Sequence, residues 1–533
     1  MAGNGGIEAE VWSDRTLPAA GAVFIFAARS PHEGRVSMVR LLAVVAILSL
    51  AIAPAPTADA AQKDRIVLGM VLEPPHLDPT QSPAAAIKEI LYANVLEGLT
   101  RIDETGAVQP QLAESWTVSP DGKSYTFKLK SGVKFHDGTE FTSADVKATM
   151  ERGAAPDSVN ALKQSLFAKI ASVETPDPLT VTLHLAKPNY LLLWTLGLGE
   201  AVVISPETVG TTKTNPIGTG PFKFVRWNKG DRLQLQRFKE YREPDTTGLQ
   251  TAVFRFISDP AAIVAALLSG DVDAFPNGVP PENLAQFQGD PRFTVDIGQT
   301  EGKTLLSINN GRKPFSDVRV RRAIAYAIDR KAIIDGAEFG YGVPIGSHFS
   351  TLNPAYIDLT GIYPHDAAKA KALLAEAGYP EGFSASLKLP PPSYARRSGE
   401  IIAQQLGDVG IKVTLEPMQF PQWLTNVFTN KNYDLTIISH TEPLDIDIYS
   451  RPGYYFNYHN PGFDELIASI PTIADDEVRI RLYRDAQRIL AVDCVNAFLF
   501  QLPKLGAWNK DISGLWMNSP VQANDLTKVS WKK

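Results

Sequence analysis

The chain has 533 residues, of which 44% are hydrophobic and 21% are charged, a globular composition long enough for two or three domains. Its formal net charge of -6 excludes a basic surface that would hold nucleic acid, so we expect no nucleic-acid partner. Its single cysteine, Cys494, excludes an intrachain disulfide and a multi-cysteine metal site.

The first predicted element is a signal peptide. Residues 41–53 read LLAVVAILSLAIA, an apolar run too short to span a bilayer but of the length of a signal core. Arg40 precedes it, and Ala-Asp-Ala at 58–60 supplies the small residues of a cleavage site. We therefore predict that residues 1–60 are an N-terminal extension and cleaved signal, with Met38 as the true start. A buried core helix is the alternative.

A strand meander is predicted next, from residue 114 onward. Tyr125, Phe127 and Leu129 alternate with polar residues at the period of a half-buried strand, and Pro-Asp-Gly at 120–122 favours a turn before it. The same alternation predicts a further strand at 133–136. Beyond it, Thr142 and Asp145 have the spacing of a capping box, which predicts a helix start.

His136 and Asp137 at the end of this meander raise the question of a reactive site. A strand end, a glycine turn and a helix cap account for both residues, and no serine, cysteine or second histidine stands nearby at triad or ligand spacing. We therefore assign them a structural role.

The second half of the chain alternates helical periods with short apolar runs. Helices are predicted from a cap at Ser316 or Asp317 and over 366–377 and 395–406, and strands over 411–415 and 433–438. This βα alternation predicts an open α/β sheet, in which ligands bind at the carboxyl ends of strands.

Motifs for catalysis and cofactor binding do not occur at the required spacings. The eight histidines never form HxxH or HExxH, no GxSxG is present, and the Gly-Thr-Gly at 218–220 runs into a proline rather than opening a helix. We therefore expect no enzyme activity, no catalytic residue, no metal site and no cofactor.

One stretch is typical of a ligand site. Residues 440–461 read HTEPLDIDIYSRPGYYFNYHNP and place carboxylates and aromatic rings in a proline-rich loop directly after the predicted strand 433–438. The alternative is a solvated loop packed by its own tyrosines.

Several long segments are similar to family 5 extracellular solute-binding proteins of ABC importers, the group of periplasmic oligopeptide- and dipeptide-binding proteins. The segments include LAESWTVSPDGKSYTFKLKSGVKFHDGTEFTSADV, NPIGTGPFKF and KPFSDVRVRRAIAYAIDRKAI, followed in family order by LLAEAGYPEGF, IIAQQLGDVGIKV and NYHNPGFDELI. The likeness extends over nearly all of residues 64–517.

The resemblance implies an α/β fold of two lobes, the type II periplasmic binding protein fold, with an extra β-rich subdomain in the first lobe. By the same analogy, residues 61–303 form the first lobe with the subdomain at about 106–214, residues 304–496 form the second lobe, and residues 497–533 return to the first.

The resemblance also implies a function. It predicts a monomeric periplasmic receptor without a membrane anchor, which captures a small solute, in the first place a peptide, and delivers it to an inner-membrane ABC permease. The alternatives are a non-peptide ligand such as an opine, a sugar oligomer or a chelated metal, and a secreted hydrolase.

The family also suggests where the ligand binds. Peptide-binding relatives hold the ligand's ammonium with the aspartate of a Trp-x-x-Asp loop, whereas here His440 and Pro443 take those two positions. Glu442 or Asp445 can substitute, because either supplies a carboxylate in the same loop. The predicted ligand-binding residues are listed here: Glu442, Asp445, His440, Tyr449, Tyr454 and Arg396.

Overall fold

The computed structural model describes residues 64–532. Its strands, in chain order, are β1 (Arg65–Met70), β2 (Thr100–Ile102), β3 (Val108–Pro110), β4 (Ala113–Val118), β5 (Ser124–Leu129), β6 (Ile170–Asp177), β7 (Thr180–Leu185), β8 (Phe222–Asn228), β9 (Arg232–Arg237), β10 (Thr251–Phe256), β11 (Ala274–Phe275), β12 (Phe293–Ile308), β13 (Val343–Pro344), β14 (Phe383–Leu389), β15 (Ile411–Pro417), β16 (Leu435–His440), β17 (Asn496–Asn509), β18 (Ile512–Ser513) and β19 (Ser530–Trp531).

The α-helices, in chain order, are α1 (Ala85–Leu91), α2 (Ser143–Ala154), α3 (Leu192–Thr195), α4 (Pro260–Ser269), α5 (Leu284–Gln288), α6 (Val318–Ala327), α7 (Arg330–Glu338), α8 (Ala367–Glu376), α9 (Ser393–Asp408), α10 (Phe420–Trp423), α11 (Pro461–Ser469) and α12 (Asp476–Val492). Among residues 64–532, no helix is both long and apolar enough to cross a membrane.

One mixed sheet of eleven strands runs through the molecule in the order β15-β14-β16-β12-β17-β11-β1-β10-β9-β8, with β13 added on β17. Its middle is the antiparallel pair of long strands β12 and β17, whose register shifts between Gln299 and Lys303. Over residues 293–299 β12 pairs with β17, and from Lys303 onward it also pairs with β16. We call the β11-to-β8 side of the sheet the first lobe and the β16-to-β15 side the second lobe.

Each lobe has its own hydrophobic core. In the first lobe, β1 and β10 pack against α1 and meet the C-terminal strand, where the Trp531 indole donates to the Arg65 carbonyl at 2.9 Å. In the second lobe, α6, α7, α8 and α9 cover the strands β14 and β16. A separate four-stranded sheet, β4-β5-β7-β6, packs on α2 around a third core. The exact lobe and subdomain boundaries stay predictions.

Most of the predicted elements are confirmed. In β5, Tyr125, Phe127 and Leu129 are buried, and Thr142 and Asp145 close a capping box on α2. Asp317 is the N-cap of α6. Predicted helices 366–377 and 395–406 correspond to α8 and α9, and strands 411–415 and 433–438 to β15 and β16.

The strand predicted at 133–136 is wrong, because only an isolated bridge between Lys134 and Glu140 forms there. The alternation that suggested it is real, since Val133 and Phe135 are buried. His136 is turned toward Gly220, whose carbonyl lies 2.9 Å from the imidazole Nε2, and burial lowers the pKa of His136 to about 4. The signal peptide and Met38 lie outside the described residues.

Candidate functional site

The loop over residues 440–455, which we call loop 440–455, leaves the end of β16 as predicted. It contains a 3-10 helix at Asp445–Ser450, which starts directly after Leu444, a residue with a positive φ of 55°. The loop ends in the aromatic residues Tyr454 and Tyr455, whose ring centroids are 5.1 Å apart. The Tyr455 hydroxyl lies 3.0 Å from His440 Nε2, so the loop brings polar and aromatic groups from its two ends together.

Asp445 is paired with Lys303, a residue that the sequence patterns did not single out. The Lys303 ammonium lies 2.8 Å from Asp445 Oδ1, and the two side chains are 0% and 7% exposed. The same ammonium donates to the main-chain carbonyl of Glu442 at 2.6 Å. Burial alone would raise the pKa of Asp445, but Lys303 and then His348 outweigh it and hold that pKa well below its usual range. Asp445 is thus an internal carboxylate whose Oδ1 is matched by the Lys303 ammonium, while its Oδ2 accepts no hydrogen bond from the described residues.

Two histidines complete this buried group. His348 Nε2 lies 3.1 Å from Asp445 Oδ1, and its Nδ1 lies 3.0 Å from the Tyr449 hydroxyl. His440 Nδ1 lies 3.7 Å from Asp445 Oδ2, and its Nε2 lies 3.0 Å from the Tyr455 hydroxyl. Burial is the largest cause that lowers the pKa of both imidazoles, to about 3 for His440. Both histidines are therefore neutral near pH 7.

His348, His440 and Asp445 also have the ligand types of a metal site, with one atom each inside 4.8 Å of the others. A divalent cation there would stand next to the buried Lys303 ammonium, which already binds the Asp445 carboxylate at 2.8 Å. The group is therefore an ion pair flanked by two neutral imidazoles, and the charge of Lys303, rather than the type of the donors, disfavours a cation there.

Glu442 differs from Asp445 in its surroundings. Its side chain is partly exposed, and among residues 64–532 its carboxylate forms no ion pair within 4.0 Å. Burial and then the negative charge of Asp445 raise its pKa, whereas Lys88 and Lys303 oppose that rise. Of the two carboxylates predicted as anchors, Glu442 is the one that is partly exposed and has no ion pair among the described residues.

The first lobe also contacts loop 440–455. Gln522 Nε2 donates to the Thr441 hydroxyl at 2.8 Å. Close by in sequence, the main-chain N–H of Asn524 donates to the Glu89 carbonyl of α1 at 3.0 Å. Lys88 on α1 forms a buried pair with Glu200, and burial raises the pKa of the partly exposed Glu89 to about 7. Glu442 therefore stands where groups from both lobes converge.

Comparison with known proteins identifies the fold. The family model described as bacterial extracellular solute-binding proteins, family 5 Middle, matches residues 107–462. The glutathione-binding protein GsiB of Salmonella paratyphi A is 30% identical over 463 residues, which cover 83% of this chain and 89% of that protein. The chain belongs to the family 5 solute-binding proteins. This membership confirms the expected function as a substrate-binding receptor of an ABC importer.

Solved structures agree with this assignment. The periplasmic binding protein AgaA of A. tumefaciens R10 in complex with agropinic acid has a TM-score of 0.79 at 29% identity, over 88% of this chain and 99% of that one. DppA of Helicobacter pylori in complex with the peptide STSA has a TM-score of 0.80 at 24% identity, over 89% and 99%, and shows the fold alone. The predicted two-lobe α/β fold is confirmed, and since GsiB and AgaA are binding proteins they support a non-enzymatic role.

The other predicted site residues of this solute-binding protein have different positions. Tyr449 is buried, with its hydroxyl 3.2 Å from Asn496 Nδ2 as well as bonded to His348. Tyr454 is partly buried, 5.6 Å from the Phe428 ring at right angles to it. Arg396 is exposed on α9 and has no side-chain hydrogen bond to loop 440–455 in the described part of the chain. Their roles toward a ligand stay predictions.

Proposed function

We propose that this receptor captures a small peptide between its lobes, and that the Glu442 carboxylate holds the peptide's ammonium. The observation that carries the proposal is the unpaired, partly exposed carboxylate of Glu442 at the carboxyl end of β16. An ammonium at this carboxylate gains a charge-assisted hydrogen bond in a site shielded from bulk water. The proposed receptor is a monomer, free in the periplasm, that passes its ligand to an inner-membrane permease without catalysing a reaction.

The relatives support a compact polar ligand. One relative is named for glutathione, a small peptide that carries both ammonium and carboxylate groups, and the AgaA structure contains agropinic acid. The latter favours a second candidate, an opine-like ligand without a peptide's free amino terminus. The two candidates differ in whether Glu442 meets an ammonium.

We further propose that the lobes close on the ligand. In the described conformation the lobes touch outside loop 440–455, since the Tyr190 amide donates to the Pro471 carbonyl at 2.8 Å and Arg397 Nη2 lies 2.7 Å from Glu282 Oε1. A ligand that contacts both lobes stabilises the closed state only to the extent that it binds the closed state more tightly than the open one. Small-angle scattering should show a more compact particle at saturation, and an unchanged profile would contradict closure.

The first experiment is mass spectrometry of the ligand that remains bound through native purification. A peptide supports the proposal, and an opine or sugar supports the second candidate. Calorimetry with the identified compound then compares the parent with Glu442→Gln, which keeps shape and removes charge. Because hydrogen bonds to charged groups contribute about 1.5–3 kcal/mol, we expect affinity to fall by about tenfold or more.

The control is Glu465→Gln, an exposed carboxylate on α11 of the same lobe, which should leave the affinity unchanged. Parent-like affinity of Glu442→Gln would show that this residue does not hold the ammonium. The hydrolase alternative is tested with the same peptide: sustained cleavage by purified protein would contradict the receptor function.

A further inference from the structure

Lys303 lies at the start of the segment of β12 that pairs with a strand on each side. It is the first residue of β12 after the register shift, opposite His440 of β16 on one side and Gln501 of β17 on the other. Residues directly opposite on antiparallel strands present their side chains to the same face. The Lys303 side chain therefore lies beside His440, at the root of loop 440–455.

Two groups of the loop bind the ammonium of Lys303 at once. One is the Asp445 carboxylate at 2.8 Å, and the other is the Glu442 carbonyl at 2.6 Å. An ammonium has three donors, so it can join a main-chain carbonyl and a carboxylate that are three residues apart. These two bonds clamp the segment between residues 442 and 445 onto the strand that runs between the lobes.

We propose that Lys303 is a positioning residue, whose ammonium fixes loop 440–455 by binding the Glu442 carbonyl and the Asp445 carboxylate together, so that the Glu442 side chain faces the ligand. The orientation toward the ligand rests on the proposed function of Glu442. The clamp itself depends only on contacts within this chain and is testable without a ligand.

A buried lysine is costly unless its charge is matched. Here one negative charge matches the positive charge of Lys303, since Asp445 is the carboxylate that lies within 4.0 Å of the ammonium among the described residues. Glu301 on β12 is also buried nearby, but its carboxylate accepts from the Ser350 hydroxyl at 2.8 Å. The loop is therefore held by one charge pair at its centre.

The pKa values of the His348 and His440 imidazoles depend on the pair of Lys303 and Asp445. The charged and titratable groups that face them from the surrounding elements are Lys303 of β12, Asp445, Asp447, Tyr449, Arg451 and Tyr455 of the loop. Lys303 lowers the pKa of both histidines, whereas Asp445 raises it. Loss of the Lys303 ammonium would leave Asp445 as an uncompensated anion next to His348, which can then take up a proton in its place.

This response gives the clamp a pH signature. In Lys303→Met, a raised folded-state pKa of His348 would add stability that is present below the unfolded value of about 6.5 and is lost as pH rises through the folded pKa. The imidazolium can then neutralise Asp445 at acid pH. Acidification should accordingly restore the order of loop 440–455 in the variant, an effect that general loss of packing would not produce.

The test compares ligand-free parent, Lys303→Met and Lys504→Met. Lys504 on β17 is a matched control, because it is similarly buried and pairs with Asp296 of β12 at 2.8 Å. Histidine ring NMR should show a new titration between about pH 5 and 8 in Lys303→Met alone. Hydrogen exchange of loop 440–455, corrected for its intrinsic rate, should be about tenfold faster in that variant near pH 7.5 and close to the parent near pH 5.5.

A parent-like histidine titration together with unchanged loop exchange in Lys303→Met would overturn the proposal. If Lys303→Met does not fold, Lys303→Met combined with Asp445→Leu removes both charges, and it should fold with the exchange of loop 440–455 faster at every pH. Parent-like exchange in that double variant would equally overturn the proposal. None of these outcomes depends on the ligand, so failure of the clamp is distinct from failure of Glu442 as the anchor.

Discussion

Replacement of Asp445 by asparagine should destabilise the protein far more than its position in a loop suggests. The amide keeps the shape of the carboxylate but leaves the Lys303 ammonium, which is 0% exposed, without a counter-charge. Breaking a buried ion pair from one side costs about 3–5 kcal/mol, because the remaining charge stays desolvated. That is a large part of a total stability of about 5–15 kcal/mol.

The pH dependence of this loss follows from the direction of the pKa shift. Since the pKa of Asp445 lies well below its usual value of 3.8, its contribution is present above that value and is lost only as pH falls through the lower, folded pKa. The difference between parent and Asp445→Asn should therefore be constant from about pH 5 to 8.

Urea unfolding followed by tryptophan fluorescence and circular dichroism measures the loss, with equal slopes as the criterion for a valid comparison. Asp447→Asn is the matched control, since Asp447 lies in the same 3-10 helix but pairs with the exposed Arg451 at 3.0 Å. That variant should lose at most about 1 kcal/mol. If Asp445→Asn loses no more than Asp447→Asn, the buried pair does not stabilise the loop.

Three further predictions concern other groups. Glu282 forms a partly exposed bidentate pair with Arg397 that joins the lobes, and Glu282→Gln removes its charge. If this pair forms only in the closed state, calorimetry should show that the variant binds the ligand about two- to fivefold more weakly. Equal affinity would contradict a pair that is specific to the closed state. Burial raises the pKa of Glu338 from 4.5 to about 7, so stability should fall as pH rises between these values. Glu338→Gln should remove that fall, by at most about 3 kcal/mol in thermal unfolding, and an identical fall in both proteins would refute the assignment. Burial raises the pKa of Cys494 to about 12, so Ellman's reagent should label the thiol only after unfolding, and rapid labelling of native protein would contradict its burial.

Local chemistry made much of the fold predictable. Capping residues such as Asp317 and Thr142 and the buried alternation in β5 act within a few residues, so the sequence displays them directly. The lobes came from resemblance, because the pairing of β12 with β17 joins residues about two hundred positions apart and no local period encodes it. The false strand at 133–136 had the right burial but no partner strand to pair with.

The site was predictable only in part. The position of loop 440–455 followed from the strand before it, but the pattern could not rank Glu442 against Asp445, because both are carboxylates in one polar segment. What separates them is Lys303, which is distant in sequence and forms an ion pair with Asp445. His348 was overlooked for the same reason, since an isolated histidine carries no motif.

A lysine placed just before the apolar residues Leu305, Leu306 and Ile308 is the signal that could have revealed this pair. Lys303 begins the stretch KTLLSI, in which every side chain is buried. A buried lysine at this position needs an anionic partner inside the protein, because water does not reach its ammonium. In loop 440–455, Asp445 pairs with the lysine through Oδ1, and Glu442, which has no ion pair among the described residues, is the proposed ligand anchor. The ion pair with Lys303 of β12 thus distinguishes two similar carboxylates, a structural residue, Asp445, and a proposed ligand-binding residue, Glu442.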